Sequence, residues 1–182
     1  MFLSFHGYAQ SGNSPHIHLD SLQKLRLCVI KAAQSQTFVT ETRNRNDHPQ
    51  VDVYFKACGH NSKKYPWRAK AWCVAFVVWS FEQCLDLKKT IGRSLVSFTA
   101  VASWNNLKTF IVPRSQPILP ADVVTYRSFS HGEFVQEWPS DPNFPVFYTT
   151  GGNTAAGRPS HGVYTRIPRR KIDVKNIIRI IK

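Results

Sequence analysis

The segment AWCVAFVVWSFEQCLDL, Ala71 to Leu87, constrains the fold more than any other, because its first half is apolar on every side. A helix of that kind has to be covered on most of its surface, so the rest of the chain must supply the cover. The run VAFVVW is also compatible with a buried strand, and the continuation through SFEQCLDL favours one long helix over 71–87. Cys73 stands at its start. Unpaired backbone N–H groups and the helix dipole in a first turn stabilise a thiolate, and the preceding basic loop carries Arg68 and Lys70. Position alone also allows Cys73 to be one more core cysteine.

The other elements follow from periodicity. Residues 1–18, rich in Gly, Ser, Asn and His, read as a flexible arm, and 19–182 as a single domain. LQKLRLCVIKAAQSQ predicts an amphipathic helix from Leu22 to Gln36, with Asp20 or Ser21 as its cap. Val51–Ala57 reads as a short helix stopped by Gly59, and a further helix is expected over Thr99–Leu107. Strands are predicted at Val123–Tyr126, Glu133–Trp138, Val146–Thr150, Gly162–Ile167 and Val174–Ile181. Helices first and strands afterwards indicate an α+β domain with an antiparallel sheet.

Twenty-four Lys and Arg against eleven Asp and Glu give a net charge of +13. The surplus attracts anionic polymers: nucleic acid, teichoic acid, lipid headgroups or a peptidoglycan sacculus. No helix-turn-helix, zinc-finger or RNP-like pattern is present, which argues against nucleic acid. No stretch is apolar enough to span a membrane, and the first residues lack the basic n-region and apolar core of a secretory signal. The chain is therefore expected to be made in the cytoplasm and to reach any extracellular target by lysis or another export route. Of the four cysteines, Cys28 and Cys84 fall on predicted helix faces and read as small buried hydrophobes, with disulfides left open although the spacing does not argue for them. None has zinc-ligand spacing, so no metal and no cofactor is expected.

A nucleophile needs a base, and the base an orienting group. His131, in SHGEFVQEW, opens a strand that follows the strand VVTY. Asn153, in TTGGNT, ends the next strand and is placed to meet the far ring nitrogen. His161 is the rival base; His48 and His60 sit in polar loops and read as solvated. Trp67, Trp72 and Trp104 are candidates for a substrate groove or for the edge of the core.

The order of these segments carries a resemblance. AWCVAFVVW resembles the PWCAAFVxW signature of the CHAP family, the cysteine/histidine-dependent amidohydrolases and peptidases of the papain-like, NlpC-related superfamily. VDVYFKACG resembles the family's VxxYLKAxG segment, PADVVTY its PGDIVxF strand, SHGEFV its SHVGIV strand, and FYTTGGNT with GVYTR its IEGNT and GVYxR strands. The likeness runs from about Leu25 to the C-terminus. It implies a papain-like fold with the nucleophile at the start of a buried helix, Cys73 as nucleophile, His131 as base, Asn153 as third polar group and Asp122 as a structural acid. It also implies cleavage of peptidoglycan, as a muramoyl–L-alanine amidase or a stem-peptide or cross-bridge endopeptidase. A phage lysin or an effector toxin, the latter with an immunity or inhibitor protein as partner, would be such an enzyme. A nucleic-acid-binding module or an inactive papain-like binding domain is the alternative. Gly152 occupies a place where many relatives carry Glu, and Glu133 one where an apolar residue or glycine is usual.

Overall fold

A computed structural model describes residues 15–66, 70–92 and 97–182. Among these residues five α-helices precede five strands: α1 (Pro15–Gln34), α2 (Pro49–Ala57), α3 (Cys73–Glu82), α4 (Leu87–Ile91), α5 (Val101–Trp104), then β1 (Val123–Tyr126), β2 (Gly132–Glu137), β3 (Val146–Thr154), β4 (Gly162–Arg170) and β5 (Val174–Ile178). The strands form one antiparallel sheet in the order β4-β3-β2-β1-β5. The α+β class expected from the sequence holds.

The predicted long helix is two. α3 ends at Glu82, and Asp86 caps α4 by accepting from Lys89 N–H at 2.8 Å. A short acidic side chain that can bond its own downstream backbone favours such a break. α1 begins at Pro15, inside the stretch read as an arm, and residues 1–14 lie outside the described ones. The helix expected over Thr99–Leu107 shrinks to α5. α2 starts one residue after His48, whose Nδ1 accepts from Gln50 N–H, and stops before Gly59, which adopts φ +79°. His48 is thus a helix cap and not a free loop side chain. His60 meets the Tyr65 hydroxyl.

α3 is the hub. Cys73 to Val78, Ser80 and Phe81 are all buried, with α1 and α2 against one side and β2 and β3 against the other. The pleat directs Val123, Phe134 and Ile178 into this core, whereas Val124, Val135, Phe147 and Ile177 form a smaller core on the sheet's far face. Asp122, fully buried, accepts from Arg26 (3.1 Å), from Arg179 (3.0 and 2.7 Å) and from Leu119 N–H (2.9 Å). It ties α1 and the C-terminal segment to the start of β1, which is the structural role expected of it.

Cys28 and Cys84 form a disulfide, a correction to their reading as buried apolar residues. Cys28 is in fact exposed on α1 and Cys84 half-buried in the turn after α3. Closing a loop with 56 residues of separation stabilises the fold by about 4 kcal/mol in the chain-entropy account.

Candidate active site

Three close approaches bring the chemistry together. The first turn of α3 presses onto the start of β2 at Gly132, where an added Cβ would lie 2.7 Å from Val74 Cγ1. That contact lets the backbone N–H of Gly132, with that of Val74, reach the Cys73 sulfur. The Cys73 thiol has the His131 side chain as its charged neighbour. Cys73 and His131 are 2% and 7% exposed, so bulk water screens the pair little.

The second nitrogen of His131 is held by Glu133, not by Asn153. Nε2 lies 3.0 Å from Glu133 Oε1. A carboxylate can only accept, so the Nε2 hydrogen is fixed there and Nδ1 is the nitrogen left for the sulfur. Glu133 is fully buried and accepts four further bonds. Arg169 gives two (2.6 and 2.9 Å), the Tyr126 hydroxyl one (2.6 Å) and the Thr149 hydroxyl one (2.8 Å). Arg169 also donates to Thr154 at 3.1 Å, and its guanidinium lies over the Tyr126 ring at 5.5 Å. Two parallel N–H···O bonds from Arg hold a carboxylate in one plane, which in turn holds the imidazole.

The glycine pair in β3 makes room. A Cβ at Gly151 would meet Glu133 Cγ and Oε1 at 2.6 Å, and one at Gly152 would meet Trp72 at 2.5 Å. A glutamate cannot stand at 152 without displacing the tryptophan; the orienting carboxylate arrives from β2 instead. Asn153 sits in a bulge of β3, half-buried at φ +57°, a conformation that asparagine tolerates better than most residues. Among the described residues its side chain has no hydrogen-bond partner.

The electrostatics follow from these contacts. Burial on its own raises the Cys73 thiol pKa, but the His131 charge, its hydrogen bond and the two backbone N–H groups outweigh it and bring the pKa below the ordinary thiol value. Burial would lower the His131 pKa; the Cys73 thiolate and the Glu133 carboxylate reverse that and raise it. Glu133, although desolvated, is held well below the usual carboxylate range by His131 and Arg169. The arrangement favours a thiolate–imidazolium pair beside a permanent carboxylate. Cys58 is the internal control: buried without such partners, it is pushed up to about 12.

Trp72 and Trp104 do not line a groove. Trp72 is fully buried, stacks on Tyr54 and donates Nε1–H to the buried Glu41 at 2.8 Å. Trp104 is also fully buried, with Nε1–H directed at Phe98 O. Neither offers a face to a ligand, and Trp67 lies outside the described residues. The rival base His161 bonds through its backbone to Asn44 and Glu41, and the thiol's partner is His131. Among the described residues no His, Cys, Asp and Glu group could hold a metal ion.

Comparison of the chain with known protein families, curated proteins and solved structures finds no match. The functional reading therefore rests on the site and on the sequence motifs.

Proposed function

We propose that the chain is a cysteine-dependent amide hydrolase acting on peptidoglycan. The observation that carries the reading is the thiol in the first turn of α3 beside an imidazole that lowers its pKa and whose Nε2 is fixed by a buried carboxylate. The CHAP-like succession of motifs, from VDVYFKACG through AWCVAFVVW to GVYTR, supports the papain-like assignment and points to cell-wall amides.

In this mechanism the Cys73 thiolate attacks the scissile carbonyl and forms a C–S bond. His131 donates its Nδ1 proton to the nitrogen as the C–N bond breaks, releasing the amine. Glu133 keeps the ring oriented and compensates the imidazolium charge, so its pairing with Arg169 makes it a positioning residue. Backbone N–H groups of the α3 first turn, Cys73 included, face the developing oxyanion. Water then attacks the thioester with His131 as base, giving the free acid and restoring the thiol.

Among the described residues no helix is long and apolar enough to cross a membrane. Arrival at the wall by lysis or by a secretion or phage device suits this protein, and the Cys28–Cys84 disulfide suits work in an oxidising compartment. The +13 charge would hold the enzyme on an anionic sacculus, an attraction that added salt weakens.

The test is turnover of purified sacculi. The Cys73→Ala variant should release no new amines while melting close to the wild type, and unimpaired release by that variant would refute the assignment.

A further inference from the structure

Beside His131, a cavity of about 340 Å³ opens between α5 and the turn joining β1 to β2. Its walls include Val101, Asn105, Arg127, Phe129, Ser130 and Lys175. It adjoins the proposed base directly: Ser130 precedes His131 in the chain, and the Phe129 ring centroid lies 5.9 Å from the imidazole.

Its charged groups are of one sign. The Arg127 backbone is fixed to Asp173 O (2.9 Å) and its Nε–H to Val174 O (3.1 Å), which leaves the terminal guanidinium nitrogens without a partner among the described residues. The Lys175 side chain is exposed and makes no hydrogen bond or ion pair with the described residues. The Asn105 carbonyl oxygen accepts from the Thr125 hydroxyl (2.6 Å) and from Asn176 Nδ2 (2.9 Å). The amide is thereby locked with its oxygen inward, and its two Nδ2 hydrogens are unpartnered. No carboxylate lines the cavity. The acids on adjoining segments, Glu133 and Asp173, are committed to Arg169 and Arg170. Two uncompensated cations and a fixed amide donor, walled by the half-exposed Phe129 ring, surround a space that has donors and no charged acceptor.

We propose that this cavity is an anion subsite, in which Arg127, Lys175 and Asn105 hold a carboxylate of the substrate peptide next to its scissile amide. The inference rests on the hydrolase reading and narrows it to substrates that carry a free carboxylate close to the cleaved bond. A phosphate elsewhere on a wall polymer would not be set beside the base; a carboxylate on the peptide itself would be.

Binding tests it without requiring turnover. The Cys73→Ala protein is titrated calorimetrically with soluble muropeptides bearing free stem carboxylates, and with the same muropeptides after carbodiimide amidation. The acid form should bind about tenfold tighter or more, the size expected of one charge-assisted contact pair. Adding Arg127→Gln and Lys175→Gln should bring the two forms to near parity, whereas Lys24→Gln with Lys31→Gln on α1, removing the same charge elsewhere, should not. Equal affinities, no binding of either form, or the same loss from both double variants would overturn the subsite. Failure of the hydrolase reading looks different: muropeptides bound with the acid preference yet left intact by the wild type.

Discussion

Two fully buried carboxylates stand on the β1–β2 hairpin, Asp122 just before β1 and Glu133 on β2 opposite Val124, each gripped by arginine, and only one of them touches a group that can do chemistry. Asp122 has every contact filled by Arg26, Arg179 and a backbone N–H, so it fastens three parts of the chain and nothing else. Glu133 has a similar grip from Arg169 but also accepts from His131, which faces a thiol. The lesson is that an arginine-clamped carboxylate is a structural device until one of its oxygens meets a titratable group. From then on its rigidity becomes orientation.

Substitution should separate the two. Glu133→Ala is expected to show the largest effect. kcat should fall by roughly 10²–10³-fold, because the imidazole loses both its fixed tautomer and its charge partner. Glu133→Gln, whose amide oxygen can still accept from Nε2–H, should recover part of that loss, and this rescue in steady-state kinetics is what a merely structural residue would not give. Next in size, Asp122→Ala should cost on the order of 3–5 kcal/mol in denaturant unfolding, since two arginines are left without their carboxylate. The kcat of its folded fraction should stay near the wild type. A fall in kcat matching that of Glu133→Ala would erase the distinction. Smallest of the three, Gly151→Ala should cost roughly 1–3 kcal/mol through the clash with Glu133 and lower kcat by displacing the carboxylate, whereas a silent Gly151→Ala would mean that Glu133 has slack and does not position the ring.

The sequence revealed the sheet better than the site. β1 is apolar enough in VVTY for its bounds to be legible, and β2 to β5 lie within a few residues of where their patterns put them. The apolar pattern runs on past Glu82 and so predicts one helix, while Asp86, the N-cap that starts α4, acts through a backbone N–H that a hydropathy pattern does not register. Cys73 and His131 were legible from local cues, a thiol at a helix start and a histidine opening a strand. Glu133 was in plain view as a charge in an otherwise apolar strand, and the signal for its role was the combination of His131 two residues before it with a glycine pair on the neighbouring strand. Asn153 misled because GGN looks the same whether its amide faces a ring or fills a bulge. The Cys28–Cys84 bond joins positions remote in sequence and carries no local pattern at all. Trp72 and Trp104 were ambiguous for a physical reason: the aromatic face that binds a sugar also packs a core.

His131, held by Glu133, lowers the Cys73 thiol pKa and so favours its thiolate. The most direct measurement is the pH dependence of its alkylation by iodoacetamide, followed by intact mass and peptide mapping, in the wild type and in His131→Ala. Rapid, selective labelling of Cys73 below the ordinary thiol pKa is expected, with Cys58 left unmodified, and that low-pH reactivity should be lost in the variant. Labelling of Cys73 that rises only at alkaline pH, alike in both proteins, would contradict it.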